Sequence, residues 1–199
     1  MNRYVIQNED YSLEDIKRDY YLYNLCVEDT PQLENIAITI QSLYFYKDIL
    51  VSNTYPKTIE ASLCRTIVIM SYSILEAIVV SLGYKLQYTC HNCNRNGRCD
   101  CYSYSMFAED QKSNELNAFK NADKYLTEIG IISFTSSARR FYDEFRNSRN
   151  NIHLSRNSRV ITHEKKYTRE HCNVVITFFQ EFIDMLNHNY LDFIRTHHC

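Results

Sequence analysis

Between Phe141 and Leu154 the chain reads Phe-Tyr-Asp-Glu-Phe-Arg-Asn-Ser-Arg-Asn-Asn-Ile-His-Leu. On a helix of 3.6 residues per turn, Arg146, Arg149, Asn150 and His153 fall within one polar face, while Phe141, Phe145 and Ile152 turn more nearly toward a core. Two guanidinium groups, an amide and an imidazole brought together in this way suit a phosphodiester. Guanidinium holds phosphate oxygens by paired hydrogen bonds, and histidine is the side chain that accepts and donates protons near neutral pH. RNA supplies its own nucleophile, the 2′-hydroxyl, so its cleavage needs no metal. The same residues also fit a plain amphipathic helix with Arg, Asn and His on its wet face and carboxylates elsewhere satisfying the arginines. Spacing alone leaves both readings open.

A second cluster is Cys90-His91-Asn92-Cys93, then five residues, then Cys99-Asp100-Cys101. Four thiolates on so short a stretch could wrap one zinc ion, with His91 as a reserve ligand. Cys-x2-Cys is a usual zinc half-site, whereas Cys-x-Cys is a strained one. Zinc closed in by four sulfurs would be structural; disulfides or free thiols are the alternative. Arg95 and Arg98 in the same loop could touch RNA. Cys26, Cys64 and Cys172 read as small buried apolar residues, and His163 and His171 as surface histidines.

The elements that must carry these residues are helical. Ser12 with Asp15 has the form of a capping box before a helix from Leu13 to about Val27. Pro31 fits the first turn of a second helix, with Leu33, Ile36, Ile40, Leu43, Phe45 and Leu50 near helical spacing. After a break over Asn53 to Pro56, a third helix from about Thr58 to Gln87 carries Leu63, Ile67, Met70, Ile74, Ile78 and Leu82 and is expected to be central. The stretch from Tyr88 to about Ser105 reads as an inserted loop. A stripe of Leu116, Phe119, Ala122, Tyr125, Leu126 and Ile129 then closes at Gly130. Thr135 or Ser136 caps the helix that runs through Phe141, Phe145 and Ile152, and Asn157 to Lys166 is a polar connection. Thr168 caps a last helix bearing Val175, Phe178, Phe179, Phe182, Ile183 and Leu186, followed by a short tail.

Composition bounds the alternatives. Three Gly and two Pro among 199 residues leave little material for the many tight turns of an all-β fold. With 45% hydrophobic and 23% charged residues, and no run of about 18 apolar residues, a globular chain without a membrane span is expected. Met1 to Asp10 contain no apolar signal core, so the expected address is cytoplasmic. The net charge of −2 makes no global case for nucleic acid. Locally, however, six arginines (139, 140, 146, 149, 156 and 159) stand against Asp143 and Glu144, an excess of +4.

The Arg146-Asn147 pair followed by His153, with six positions between Arg and His, resembles the motif of the HEPN domains: Arg, four to six residues, His, with a polar residue after the Arg. The pairing from Arg149 leaves three residues and falls outside it. The context is similar too: a long apolar helix with Ser73-Ile74-Leu75-Glu76, a helix ending in Gly130-Ile131-Ile132, the Arg-Asn…Asn-Ile-His-Leu helix, and a closing amphipathic helix. The resemblance covers roughly Thr58 to Leu186. It implies an all-α, HEPN-like bundle with a core of about 58–187, N-terminal helices at 12–50 and the Cys-rich insert at 88–105. It further implies a homodimer in which two such helices form one composite, metal-independent ribonuclease site acting on RNA such as tRNA or mRNA. By position, Arg146 would stabilise the phosphorane-like charge, Asn147 would orient it or the histidine, and His153 would serve as general base or acid. Arg149, Asn150 and Glu76 are the candidate substrate contacts. Members often act as toxins beside an antitoxin, frequently a minimal nucleotidyltransferase, or in antiphage defence. A Tyr two residues after the His is modified in some pairs; Ser155 stands there in this chain. A catalytically silent HEPN module that binds RNA or a partner protein is the alternative.

Overall fold

The computed structural model describes residues 12–28, 30–90, 95–96, 118–135, 138–143 and 167–197. They are mostly helical: α1 (Leu13–Asp19), α2 (Leu22–Leu25), α3 (Pro31–Ser52), α4 (Lys57–Tyr88), α5 (Ala118–Glu128), α6 (138–143) and α7 (Arg169–His197). Between α4 and α5, Thr89–Cys90 (β1) and Arg95–Asn96 (β2) pair antiparallel, Thr89 opposite Asn96 and Cys90 opposite Arg95. This two-residue ladder falls in the first part of the cysteine-rich sequence.

The start signals act as their chemistry requires. Ser12 Oγ accepts from the Asp15 N–H at 3.1 Å and its hydroxyl meets the Asp15 carboxylate, which closes the first turn of α1. Thr30 accepts from the Leu33 N–H at 3.3 Å, with Pro31 in the first turn of α3. Thr168 accepts from the His171 N–H at 3.1 Å at the start of α7. Gly130, at φ +82°, ends the α5 region in the left-handed conformation that glycine adopts without steric cost, and the Ile132 N–H returns to the Leu126 carbonyl at 2.9 Å.

The expected helix from Leu13 to Val27 is instead two short helices. Ile16 and Tyr20 face inward one turn apart, and Leu22 and Leu25 are fully buried as well. In one continuous helix Leu22 would stand about 200° around the axis from Tyr20. Tyr21 resolves the conflict by taking a left-handed conformation, φ 54°, at a cost of about 1–2 kcal/mol. The break lets Tyr20 pack on Phe179, 5.7 Å between ring centroids, and reach the Tyr44 hydroxyl. Lys17, itself buried, meets Glu14 of its own helix at 2.8 Å and ties α1 to α3 through Glu34.

α4 is the central helix, packed against α3, α5 and α7. Ile67, Ile74, Ile78 and Leu82 are fully or almost fully buried, while Leu63 and Met70 are half-buried against the same core. Contrary to the sequence expectation, Lys57–Leu86 is long and apolar enough to cross a membrane by length and composition; 61% of its most apolar window is buried inside the fold, as in a core helix. Phe45, placed on the apolar stripe of α3 by spacing, is exposed beside Tyr46.

Polar ties fix the ends of the bundle. Arg169, at the start of α7, donates to Glu60 at 2.7 Å and to the Asn53 carbonyl at 2.8 Å, joining α7 to the α3–α4 junction. Toward the other end, Asn189 donates to the Ile131 carbonyl and Asn24 to Asn187, each at 2.9 Å. The expected tail after Leu186 is helical to His197, because Tyr190 and Phe193 continue the packing stripe.

Leu82→Ala would open a cavity at a fully buried position of α4. The expected cost is about 2–5 kcal/mol, read as a lower urea midpoint at unchanged slope. A loss below about 0.5 kcal/mol, typical of a surface change, would contradict a central α4.

Candidate functional site

The candidate site is approached through α6, the described beginning of the helix on which the Arg…His motif falls. Thr135 is the residue that caps it: the Ala138 N–H donates to Thr135 Oγ1 at 3.3 Å and the Arg139 N–H to the Thr135 carbonyl at 2.9 Å. From that start, Tyr142 enters an aromatic nest. Its ring lies 5.1 Å from Phe134, 5.5 Å from Phe182 and 6.4 Å from both Phe119 and Phe178, and the residue is 0% exposed. Phe141, expected to be the inward residue, is half-buried and meets Phe178 edge-on at 5.0 Å. The inward line of α6 is thus centred nearer Tyr142 than Phe141, because Tyr142 is the ring that fills the space between α5 and α7.

Arg139 provides the polar counterpart. One guanidinium nitrogen reaches Asp123 Oδ2 on α5 at 3.0 Å and Nε lies 3.5 Å from Asp143 Oδ1, one turn further along α6. The guanidinium carbon stands 5.5 Å from the Tyr142 ring centre and 5.9 Å from that of Phe134. Asp123 is 5% exposed, and its other oxygen, Oδ1, is buried with no hydrogen-bond partner among the described residues. Two carboxylates therefore offset Arg139, so the first arginine of the basic run is not part of a bare positive face. The sequence reading missed Asp123, although a signal existed. At four residues after Phe119 it falls on the apolar stripe of its helix, where a charge needs a partner.

Of the candidate catalytic, substrate-binding and metal-ligating residues, Glu76 is the one whose side chain is described. It is half-buried on α4, one turn after Tyr72. Tyr72 meets Phe119 at 6.1 Å, and Phe119 in turn meets Tyr142. The fold therefore brings Tyr72 of α4 and Tyr142 of α6 onto the same side chain of α5. Arg146, Asn147, Arg149, Asn150 and His153 lie outside the described residues, as do Cys93, Cys99, Cys101, His91, Ser155 and His163. Cys90 is described in its backbone alone. Among the described residues no group of three or more His, Cys, Asp or Glu is placed to hold a metal ion.

Beside α6 a cleft of about 630 Å³ opens between α5 and the segment that follows it. Lys120, Asp123, Lys124 and Thr127 line it from one face of α5, and Phe134 and Arg139 from the other side. Cys26, Cys64 and Cys172 are fully buried, as expected, and burial raises all three thiols, Cys26 to about 11. They are packing groups rather than nucleophiles. His171 is half-buried, edge-on to Tyr167 at 6.2 Å.

The Asp123–Arg139 pair is unequal, with 6% of the Asp123 side chain and 35% of the Arg139 side chain exposed. Removing the arginine strands a buried carboxylate, whereas removing the aspartate leaves a guanidinium that reaches water. Arg139→Ala should cost about 2 kcal/mol, below the 3–5 of a fully buried pair because Arg139 is partly wet, and Asp123→Ala should cost less. Urea unfolding of both single variants and the double variant measures this; equal single costs with no coupling would contradict it.

No family model, curated protein or solved structure matches the chain.

Proposed function

We propose that the chain is a metal-independent endoribonuclease of HEPN type, active as a homodimer. The observation that carries this reading is the Arg146-Asn147…His153 motif, on the same predicted helix whose first turns are docked by Tyr142 and Arg139 into an all-α bundle. Two copies of that helix, one from each protomer, form the composite site.

In the reaction, His153 takes the proton of a ribose 2′-hydroxyl as its oxygen attacks the adjacent phosphorus. Arg146 offsets the charge that builds on the phosphoryl oxygens, and Asn147 orients the phosphate or the imidazole. The P–O5′ bond breaks, the leaving 5′-oxygen takes up a proton, and the products carry a 2′,3′-cyclic phosphate and a 5′-hydroxyl. Arg149 and Asn150 contact the RNA backbone and Glu76 approaches from α4. Cys90, Cys93, Cys99 and Cys101 hold a structural zinc ion in the insert; the reaction itself uses no metal. The biological setting is that of a toxin or antiphage-defence effector acting on tRNA or mRNA in the cytoplasm. A cognate antitoxin, such as a minimal nucleotidyltransferase, would hold it in check.

The test is cleavage of total tRNA and of mRNA by purified dimer in excess EDTA, after circular dichroism has verified that chelation leaves the fold intact. The expected result is cleavage that falls about 10²–10⁴-fold in both Arg146→Ala and His153→Ala with folding retained. A folded dimer that leaves every RNA intact would overturn the nuclease and leave a silent binding module. Cleavage unaffected by either substitution would overturn the site.

A further inference from the structure

The Asp123–Arg139–Asp143 bridge is not accounted for by any of the reacting groups. A buried carboxylate with one oxygen unpartnered among the described residues is an expensive way to hold two helices together. The aromatic nest around Tyr142 already supplies the cohesion. What rings cannot supply is direction, since apolar contacts tolerate rotation while a charged hydrogen bond at 3.0 Å is sharply oriented.

Arg139 and Tyr142 lie three positions apart, so they leave the α6 axis about 60° from each other. Tyr142 sets how deeply the helix lies against α5 and α7. Arg139, held at once to α5 and to the next turn of its own helix, sets its rotation. In the helix that the sequence predicts, Arg146 follows Arg139 by seven residues and Tyr142 by four, on the side of both anchors. A rotation of about 20° would move a group about 6 Å off the axis by about 2 Å. That is more than a reacting group tolerates, because a misplacement of about 1 Å costs on the order of 10²-fold in rate.

We propose that Arg139 and Asp123 are positioning residues that fix the roll of the motif-bearing helix, and through it the aim of Arg146 and His153. The inference rests on the nuclease reading for its catalytic consequence, but its structural half stands without it.

The test compares full-length wild type with Arg139→Gln and Arg139→Lys, each assayed at a temperature where circular dichroism finds it folded. One arm is hydrogen exchange of the backbone amides of residues 144–153, with those of α4 as an internal reference. The other is the pH profile of kcat/KM for RNA cleavage, with kcat and KM measured separately. In Arg139→Gln, exchange in 144–153 should quicken roughly tenfold more than the change that the loss of global stability produces in α4, as for a local opening. The kcat should fall on the order of 10²-fold, with KM little altered and the pH profile displaced. Arg139→Lys, which keeps the charge and loses the planar fork, should recover part of each effect. A role in stability alone would quicken exchange in α4 and in 144–153 by the same factor and leave the pH profile in place, and that outcome overturns the proposal. So does wild-type exchange in 144–153 in Arg139→Gln. If the wild type cuts no RNA the nuclease reading falls, and the exchange arm still decides whether the bridge positions the helix. Should Arg139→Gln not fold, the same two readouts on Arg139→Lys decide.

Discussion

A helix of 32 residues that is apolar on most of its circumference has to be covered, and the rest of this protein is arranged around that requirement. α3, α5 and α7 each lie along α4, and the remaining elements adjust to let them. The chain bends at Tyr21 so that α1 and α2 can both turn their apolar residues inward. Arg169 ties the start of α7 to Glu60 and the Asn53 carbonyl, which fixes the long closing helix against the long central one. Burial of apolar surface supplies the driving force, and a few oriented polar bonds select one arrangement among those that would bury as much.

The same division of labour recurs where chemistry is expected. Tyr142 anchors α6 by burial and Arg139 orients it by charge, each with partners on α5. Phe119 joins the two regions, touching Tyr72 of α4 on one side and Tyr142 on the other. An aromatic chain therefore runs from the central helix to the threshold of the Arg…His segment, and Glu76 lies one turn along α4 from its first member.

Much of this was legible in the sequence, and the reasons are local. Ser12, Thr135 and Thr168 each cap the helix they precede, because a hydroxyl at that position accepts from an N–H that the helix itself leaves without a partner. Gly130 ends its helix because it alone takes φ +82° without strain. What could not be read depends on tertiary packing. The break at Tyr21 follows from where Phe179 and Tyr44 wait for Tyr20, which no local propensity records. The inward position of Tyr142 rather than Phe141 follows from the gap between α5 and α7. The Asp123–Arg139 pair was half legible, since a carboxylate on an apolar stripe announces a partner without saying which of the nearby arginines it is. For the site itself, sequence supplies the Arg146, Asn147 and His153 pattern, and the fold supplies the anchored helix start that leads to it.

In the proposed reaction the RNA provides its own nucleophile while Arg146 and His153 act on the phosphate. The most direct measurement is cleavage of a short RNA of established cut site beside the same strand carrying one 2′-deoxy nucleotide immediately 5′ to that site, in excess EDTA, with product termini identified by mass. The expected result is a 2′,3′-cyclic phosphate and a 5′-hydroxyl from the first strand and no cut at that position in the second. Cleavage of the deoxy-substituted strand at the same bond, or products bearing a 5′-phosphate, would contradict it.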